Sequence, residues 1–560
     1  MSRPIPVIEL DAEPSKVAER LGGPRVPVDD ALVERLRSVC AVVDVDDASR
    51  MEASRDWWPI TISWATRGAV PARPAAVARP TEPEQVAAVL GACNDSRVPV
   101  TPMAGRSGVC GASVPAFGGV ALDLCALSGI VDLDTTSLLA HVLPGTFGSD
   151  LEVGLREQAV TLGHWPQSMG ISTVGGWLSC RGAGQYSTRY GKIEDMVVGL
   201  EVALADGRTI RTGGSGPRSA TGPDLTQLFV GSEGTLGVVT GALLRLRPTP
   251  EAQARRAFWF GAFGDGLEAC RRVLRRGATP AVLRLYDEME SARNFSVDDR
   301  CVLVVLDEAD PAVLEATLGI VDAECARAGG ELIDERQAHA GTTQGRLAGQ
   351  GSARGGRKSE GPAPDVPSGE DPADDGDQGI VQRWLDHRND VSALAPLYRA
   401  GIVVDTVEIS ARWSALEGIY RDCVSALGTI PGTLAASAHE SHAYTDGACL
   451  YFTFAGRMPG AGGGASVASG DNSEDVEVQD TWAQNYYVGA WQAVMEVVLA
   501  RGGAISHHHG IGINRARFMS PALGVSLDIL VAIKDALDPR GILNPGKLGL
   551  SSPFGEILWP

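Results

Sequence analysis

The sequence lacks paired cysteines at the spacing of metal or redox motifs. No Cys-x-x-Cys occurs, which argues against a zinc site and against a thioredoxin-like motif. The ten cysteines are isolated from one another, at positions 40, 93, 110, 125, 180, 270, 301, 325, 423 and 449. We expect them to be buried, reduced thiols in a reducing cytosol.

Long apolar runs are missing as well. Residues 1–30 contain no apolar core of the length found in signal peptides. No uninterrupted apolar run is long enough to span a bilayer, and the final residues Glu556–Pro560 do not form a targeting tail. The sequence therefore predicts no transmembrane segment and a cytoplasmic location.

Basic residues are fewer than acidic ones in this sequence. Lys and Arg number 49 against 69 Asp and Glu, which gives a formal net charge of −20. Such a surface repels phosphate backbones, so nucleic acid is excluded as a partner. A small anionic substrate would need positive charge gathered locally against this background.

Glycine, by contrast, is abundant, with 68 residues in a chain of 560. Glycine permits tight turns and close approach of the backbone to a ligand. The length suggests about three or four domains, and the 44% of hydrophobic residues suffices for a sizeable core. The composition is that of a globular protein that is unusually rich in glycine.

Four stretches differ in pattern. Residues 1–70 are predicted to be a helical N-terminal extension, in which the aromatic Asp56-Trp57-Trp58-Pro59 is a packing anchor against a later domain. Strands alternate with helices over 71–250. In the third stretch, 251–480, residues 252–340 resemble an antiparallel sheet covered by helices. Residues 481–560 are mainly helical.

Local patterns predict individual elements. Residues 197–204 and 238–246 are predicted strands, and Asp206-Gly207 predicts a hairpin turn between 201–205 and 208–212. A single helix is predicted over Leu523–Leu537, stopped by the following Asp-Pro pair.

Two stretches, 345–379 and 456–475, are rich in glycine, serine and acidic residues and almost free of large apolar ones. They cannot bury enough apolar area to offset the entropy of ordering. We predict disordered surface insertions there and assign them no chemistry.

Three glycine-dense blocks follow one another in the second stretch. They are Pro102–Val109, Ser172–Trp177 with its continuation to Asp195, and Thr221–Leu225 with Gly231–Thr240. Small residues let successive backbone N–H groups point at an anion such as a pyrophosphate. The blocks are neither a GxGxxG fingerprint nor a Walker A loop. Three of them in one α/β region favour an extended cofactor.

Three consecutive histidines, His507, His508 and His509, lie between two glycines just after a predicted helix. Adjacent side chains in extended backbone point to opposite faces, so at most two of them can face one ligand. We favour contact with a cofactor or substrate over a structural cluster or a metal. Tyr451 lies in an apolar, strand-like stretch, where a tyrosine is ordinarily part of the core.

These motifs resemble the FAD-binding oxidoreductases of the vanillyl-alcohol-oxidase type, whose PCMH-type flavin domain has two α+β subdomains with FAD between them. Within that group the chain is most similar to the alkyldihydroxyacetonephosphate synthase (alkylglycerone-phosphate synthase) branch. The matching segments run from about Trp57 to Gly546 and include 172–177, 191–195, 216–224, 231–241, 283–287, 446–452 and 506–512. The fold implied is α+β: a two-subdomain flavin domain at 71–250, a substrate-binding cap at 251–480 and a helical C-terminal segment at 481–560 that completes the active site.

The resemblance also implies roles for individual residues. FAD would be held by Pro102, Met103, Ala104, Gly105, Arg106, Ser107, Gly108, Val109, Ser172, Thr173, Gly175, Gly176, Trp177, Ile193, Glu194, Asp195, Asp224, Glu233, Gly234, Thr235, Gly237 and Val238. Catalysis would involve Tyr451, His507, His508, His509 and Arg284. Substrate would be bound by Arg284, His439 and His442. To act as a base, a tyrosine needs a pKa lowered from its usual value of about 10. His508 and Arg284 are the residues expected to lower the pKa of Tyr451.

Two departures from the synthase pattern matter. Gln167 stands where the synthase has a histidine, and His439 stands where it has an arginine suited to a phosphate. The 104–110 loop contains no histidine for a covalent flavin link, so we expect non-covalent FAD. Separately, we expect no bound metal.

The leading hypothesis is therefore an exchange of the acyl group of acyl-dihydroxyacetone phosphate for a fatty alcohol, without net redox change. The alternatives are an FAD-linked D-2-hydroxyacid dehydrogenase of the D-lactate type and a non-catalytic flavin-binding protein. The expected partner is a small molecule, lipid-like or a 2-hydroxy acid, with a homodimer as a possible assembly.

Overall fold

The computed structural model describes residues 10, 12–213, 218–333, 379–389, 394–459 and 473–559. Within them the strands are β1 (Ala18–Glu19), β2 (Val42–Asp44), β3 (Ala69–Val70), β4 (Ala76–Arg79), β5 (Val100–Met103), β6 (Val120–Asp123), β7 (Ile130–Asp134), β8 (Leu139–Val142), β9 (Val160–Thr161), β10 (Val197–Ala203), β11 (Thr209–Arg211), β12 (Val238–Arg245), β13 (Arg247–Pro248), β14 (Ala252–Phe260), β15 (Val282–Tyr286), β16 (Cys301–Ala309), β17 (Glu331–Leu332), β18 (Ile402–Arg412), β19 (Thr433–Ala443) and β20 (Gly447–Arg457).

The α-helices of the same residues are α1 (Asp30–Val39), α2 (Asp47–Glu52), α3 (Pro59–Ala65), α4 (Pro83–Ser96), α5 (Gly148–Arg156), α6 (Val174–Cys180), α7 (Ser187–Tyr190), α8 (Ile193–Met196), α9 (Leu225–Phe229), α10 (Phe263–Arg275), α11 (Glu288–Phe295), α12 (Pro311–Arg327), α13 (Ile380–His387), α14 (Leu394–Arg399), α15 (Trp413–Gly428), α16 (Ser473–Ala500), α17 (Met519–Leu523) and α18 (Ser526–Leu537).

Two sheets form the first half of the molecule. One has the order β2-β4-β6-β5 and the other β11-β10-β12-β8-β7. The predicted hairpin is confirmed, since β10 pairs antiparallel with β11 on either side of Asp206-Gly207. The segment 1–70 is not purely helical as predicted, because β2 pairs with β4 and extends the first sheet.

A seven-stranded sheet dominates the second half, in the order β17-β14-β16-β15-β19-β20-β18. Every pairing between its strands is antiparallel. Helices α10, α15 and α16 contribute buried side chains to the same core, which agrees with the expected antiparallel sheet covered by helices. We call it the cap sheet.

The aromatic anchor near the N-terminus packs as predicted. Trp58 is fully buried, and its ring makes edge contacts with Trp64 and Trp559. Its indole N–H donates to the Tyr487 hydroxyl over 3.1 Å. The anchor therefore joins the N-terminal segment to the C-terminal tail and to α16.

The helix predicted over Leu523–Leu537 is wrong in one respect, because it is two helices, α17 and α18. Gly524 between them has φ +54°, which interrupts the helix. No single helix of the described residues is long and apolar enough to cross a membrane. The segments Ala516–Leu523 and Ser526–Leu537 reach that length and apolarity only when they are taken together, and they are bent by 120° relative to each other.

The ten cysteines are free thiols, and all are buried except the partly buried Cys180, as expected. The predicted insertion at 345–379 lies outside the described residues except for its last residue, as does 460–472 of the predicted insertion at 456–475.

Candidate active site

A cavity of about 810 Å³ opens between the glycine-dense blocks and the cap sheet. One wall consists of residues 102–110 with parts of 166–185 and 233–239, and the opposite wall carries Arg284, His439, Tyr451 and His508. The fold thus brings the candidate cofactor-binding and catalytic residues to one space.

The first glycine-rich block lines this cavity along its whole length, Pro102 to Val109. It begins with the last two residues of β5, and Arg106 has φ +51°, the left-handed region. No backbone N–H of residues 105–109 donates to another described residue. Such a run of free N–H groups is a concave anion site that fits a pyrophosphate.

Close packing explains the glycines in the first two blocks. A Cβ on Gly105 would lie 2.1 Å from the backbone oxygen of Ile171, and one on Gly175 would lie 2.7 Å from the Pro144 ring. Thr173 caps α6 by accepting from the Gly176 N–H, and Ser172 accepts from the Trp177 indole over 2.7 Å. The first block therefore packs directly against the start of the second beside the cavity.

Seventeen of the predicted FAD-binding residues line the cavity, and five do not: Ile193, Glu194, Asp195, Asp224 and Thr235. Ile193 belongs to a hydrophobic core. Asp224 caps α9. Glu194 is 3.0 Å from Lys192 Nζ, and Asp195 accepts from the Lys192 N–H. Their contacts in this structure are therefore structural.

Tyr451 is the centre of the catalytic candidates. Its hydroxyl lies 2.6 Å from His508 Nε2 and 2.9 Å from His509 Nε2. His439 stacks on its ring, with centroids 4.9 Å apart and planes 10° apart. Two histidines of the triplet thus face Tyr451 and line the cavity, while His507 turns toward Tyr444 and His442. This division agrees with the limit of two set by the sequence.

Strand pairing places a row of these side chains across the cap sheet. Tyr451 on β20 is directly opposite Glu408 on β18 and His439 on β19, and His439 is opposite Tyr286 on β15. Directly opposed residues share a face of the sheet. The row therefore presents glutamate, tyrosine and histidine side by side.

Glu408 is a residue that the sequence analysis missed. Its buried carboxylate accepts from the backbone N–H groups of His507, His508 and His509 over 2.5, 3.4 and 2.9 Å. It also accepts from Arg515 over 2.8 Å. The only local signal was that Glu408 and Asp405 are two acids in the otherwise largely apolar stretch 402–409. Glu408 fixes the backbone of the histidine triplet.

The electrostatics differ from the expectation for a tyrosine base. Burial raises the pKa of Tyr451 well above its ordinary value, and repulsion from Glu408 adds to this, while Arg284 and Arg515 only oppose it. Tyr451 is therefore a neutral phenol that donates its proton to an imidazole. The expectation that positive neighbours lower the pKa of Tyr451 is wrong, because the effect of burial on this pKa is larger than theirs.

The histidines are neutral too. Burial lowers the pKa of His508 well below its ordinary value and that of His509 to about 4, although Glu408 raises the latter. His509 Nδ1 lies 3.9 Å from the Glu408 carboxylate. This favours the proton on Nδ1, which leaves Nε2 to accept the Tyr451 hydroxyl. His508 Nε2–H then donates to the Tyr451 oxygen.

A second polar cluster adjoins Tyr451. His439 Nδ1 is 2.7 Å from Glu290, and its Nε2 is 2.8 Å from an Arg284 nitrogen. Glu290 also accepts from Ser437 and Thr453. His439 and Arg284, predicted to bind substrate, are therefore brought together, with Glu290 as an unpredicted partner.

His442, the third predicted substrate residue, also lines the cavity. Its Nδ1 is 2.8 Å from the Ser187 hydroxyl. One ring nitrogen each of His442, His507 and His508 lies within 4.8 Å of the others, so these three could hold a metal ion. The sequence predicted no metal, and elemental analysis of the purified protein tests that prediction.

Comparison with known families gives two matches. The model of an FAD binding domain matches residues 74–213, and the model of the C-terminal domain of FAD linked oxidases matches residues 368–548. The first match contains two of the glycine-dense blocks, and the second contains the histidine triplet and Tyr451.

Several relatives cover most of the chain. An uncharacterized FAD-linked oxidoreductase, YgcU of Escherichia coli K12, is 28% identical over 85% of this chain and 89% of its own. Alkyldihydroxyacetonephosphate synthase of Trypanosoma brucei brucei is 28% identical over 90% and 76%. Glycolate oxidase subunit GlcD of Bacillus subtilis is 28% identical over 85% and 89%.

Solved structures share the fold. An alkyldihydroxyacetonephosphate synthase superposes with a TM-score of 0.68 at 21% identity, covering 96% of this chain and 89% of that one. p-Cresol methylhydroxylase superposes with a TM-score of 0.67 at 18% identity, covering 95% and 99%. Residues 74–213 thus match an FAD binding domain and residues 368–548 match the C-terminal domain of FAD linked oxidases; the fold is the PCMH-type α+β fold, and FAD is the cofactor.

Proposed function

We propose that the chain is an FAD-dependent enzyme that moves a proton at a small substrate through Tyr451, and that its reaction is of the alkyldihydroxyacetonephosphate synthase type. In that reaction a fatty alcohol replaces the acyl group of acyl-dihydroxyacetone phosphate, with no net redox change. The observation that carries the proposal is the Tyr451 hydroxyl held between His508 and His509 at 2.6 and 2.9 Å on the cavity wall.

The cavity suits FAD bound without a covalent link. The free N–H groups of residues 105–109 fit its pyrophosphate. Cys110 is the one potential attachment point in the 104–110 loop, and burial raises the pKa of its thiol well above the ordinary value. A thiol held in its neutral form is a poor nucleophile. Residues 71–250 would form the flavin domain and 251–480 the cap.

The proton path follows from the hydrogen bonds. Tyr451 accepts a proton from the substrate carbon as its own hydroxyl proton passes to His509 Nε2. Glu408, 3.9 Å from His509 Nδ1, stabilises the imidazolium that results. His508 donates to the Tyr451 oxygen throughout and so opposes build-up of negative charge there. FAD, held by the glycine-dense blocks, would supply an electrophilic ring beside Tyr451.

The choice of reaction type rests on the pattern of residues and relatives. Three of the similar curated proteins are alkyldihydroxyacetonephosphate synthases, at 26–28% identity. The Tyr451 and histidine set resembles that of the same branch. A non-catalytic flavin protein would have no use for a buried phenol with two imidazoles on its hydroxyl.

One observation favours a second candidate, an FAD-linked D-2-hydroxyacid dehydrogenase. His439 stands where the synthase pattern has an arginine, and Glu290 and Arg284 hold it in place. A carboxylate needs fewer positive partners than a phosphate, and GlcD is among the relatives. Tyr451 and His509 would then take the proton of the substrate hydroxyl.

Anaerobic mixing with candidate substrates distinguishes the two. Ether product from acyl-dihydroxyacetone phosphate and a fatty alcohol, without lasting loss of flavin absorbance, supports the exchange reaction. Bleaching of the flavin by D-lactate or a related acid supports the dehydrogenase. If neither occurs with FAD-saturated protein, the proposed function is wrong.

A further inference from the structure

The cap end of the cavity concentrates positive charge in a strongly acidic protein. Among its described lining residues, Arg284, Arg293, Arg383 and Arg388 belong to the cap side, against the single carboxylate of Glu290. The chain as a whole has a net charge of −20. A local excess of arginine in a concave, partly desolvated wall focuses the potential there.

The one acid on this wall is already engaged. Glu290 is bonded to His439, Ser437 and Thr453, and it lies 3.6 Å from Arg293, the one arginine within 4 Å of it among the described residues. Among the described residues, the other three arginines form no ion pair within 4 Å with a carboxylate of the cavity wall, although Glu290 and Glu440 act on Arg284 from a greater distance.

Helix α13 supplies two of these arginines. Arg388, at its C-terminal end, donates to the Tyr186 hydroxyl over 2.7 Å and lies over the Tyr186 and Trp384 rings. This contact fixes α13 against the loop that precedes α7. Arg383, one turn earlier, has a buried Nε without a hydrogen-bond partner among the described residues. Arg383 is thus a half-buried cation whose Nε has no hydrogen-bond partner among the described residues.

Arg284 resembles Arg383 in this respect. One of its nitrogens contacts His439, but its Nε is buried and has no hydrogen-bond partner among the described residues. Buried polar groups ordinarily have partners, and a buried guanidinium N–H left without one costs free energy. Two such N–H groups on one cavity wall are suited to hold an anion.

We propose that the cap end of the cavity binds an oxyanion of the substrate, a phosphate monoester or a carboxylate, through Arg383 and Arg284, with Arg388 and Arg293 flanking it. This inference rests on the proposed function, since it names the substrate class of the same site. Arginine suits the task because its planar fork donates two parallel hydrogen bonds to such groups. Arg383, Arg388 and Arg293 make up for the arginine that His439 replaces.

Isothermal titration calorimetry of FAD-saturated protein tests the proposal without turnover. Inorganic phosphate and acetate are titrated separately at low ionic strength. Because the protein is saturated with FAD, the site for the cofactor's own phosphates is already occupied. One of the two anions should bind, and Arg383→Met should raise its Kd by about tenfold or more, the change expected for one charge-assisted hydrogen bond. Methionine retains the apolar stem of the arginine.

Two further variants keep the result interpretable. Arg293→Met changes a side chain that is 57% exposed, so it should fold even if Arg383→Met does not, and it should weaken anion binding less. Arg275→Met removes an exposed arginine of α10 that lies outside the cavity lining, and its Kd should equal that of the wild type.

The outcomes separate cleanly. Binding of phosphate with loss in Arg383→Met supports the proposal with a phosphate ester as substrate, and the same result with acetate supports it with a carboxylate. The proposal is overturned if neither anion binds the wild type, or if the cavity variants and Arg275→Met bind alike. Because no turnover is measured, either result leaves the proton path through Tyr451 to be judged by its own variants.

Discussion

Replacement of Glu408 by glutamine removes one charge from the centre of the site with little change in shape. The wild-type carboxylate accepts from three consecutive backbone N–H groups, from the Ser506 hydroxyl over 2.9 Å and from Arg515 over 2.8 Å. A neutral amide accepts through only one of its two terminal atoms, so Glu408→Gln leaves several of these donors weakly paired.

The largest energetic consequence concerns Arg515. Its side chain is fully buried, as is that of Glu408, and its Nε and second terminal nitrogen have no hydrogen-bond partner among the described residues. Breaking a buried ion pair from one side costs about 3–5 kcal/mol, because an uncompensated charge remains. We therefore expect Glu408→Gln to lose about that much unfolding free energy.

Activity should fall for a separate reason. Without the carboxylate, the imidazolium of His509 loses its stabilising neighbour, and the backbone that aims His508 and His509 at Tyr451 is held less firmly. General acid–base contributions of this kind are worth about 10²–10⁴-fold. We expect a decrease in kcat of about a hundredfold, with a smaller change in KM, since Glu408 does not line the cavity.

The assay combines denaturant unfolding, followed by flavin fluorescence, with the rate in the substrate screen. Glu440→Gln is the matched control, a buried glutamate on β19 whose carboxyl has no hydrogen-bond partner among the described residues. The double variant Glu408→Gln/Arg515→Met removes both charges and should recover much of the stability but not the activity. Wild-type stability and activity in Glu408→Gln would refute the anchoring role.

Four further outcomes are expected. Tyr451→Phe should lower kcat by about a hundredfold or more with FAD retained, and His509→Ala should do the same; unchanged rates would reduce both residues to packing. Burial raises the pKa of Glu440 to about 8 from its usual 4.5, so its contribution to stability is full below pH 4.5 and is lost as pH rises through about 8. Unfolding measured across that range should show a steeper fall for the wild type than for Glu440→Gln. Gly105→Ala should reduce the FAD content of the purified protein, because its Cβ would meet the Ile171 oxygen at 2.1 Å. Acid precipitation of the yellow wild-type protein should release FAD; flavin retained in the pellet would indicate a covalent link.

Much of the fold could be predicted from local sequence. Strand β10, the turn at Asp206-Gly207 and strand β12 each depend on residues close together in the chain, and each was predicted nearly at its observed bounds. The strand at Val42–Asp44 was missed, because it is defined by pairing with β4 and has no strong pattern of its own. The break at Gly524 was missed because a single glycine within an apolar stretch does not reveal its φ angle.

The candidate site divides in the same way. The glycine-dense blocks indicated an extended cofactor, and the resemblance of the motifs to the FAD-binding oxidoreductases identified it as FAD. The same resemblance singled out Tyr451, and the histidine triplet stood out by itself. Only the tertiary structure decided their chemistry. Glu408 lies 99 to 101 positions from His507 to His509, and Arg388 lies 202 positions from Tyr186. Such contacts and the burial that raises the pKa of Tyr451 arise when distant segments pack together, so no pattern of neighbouring residues encodes them.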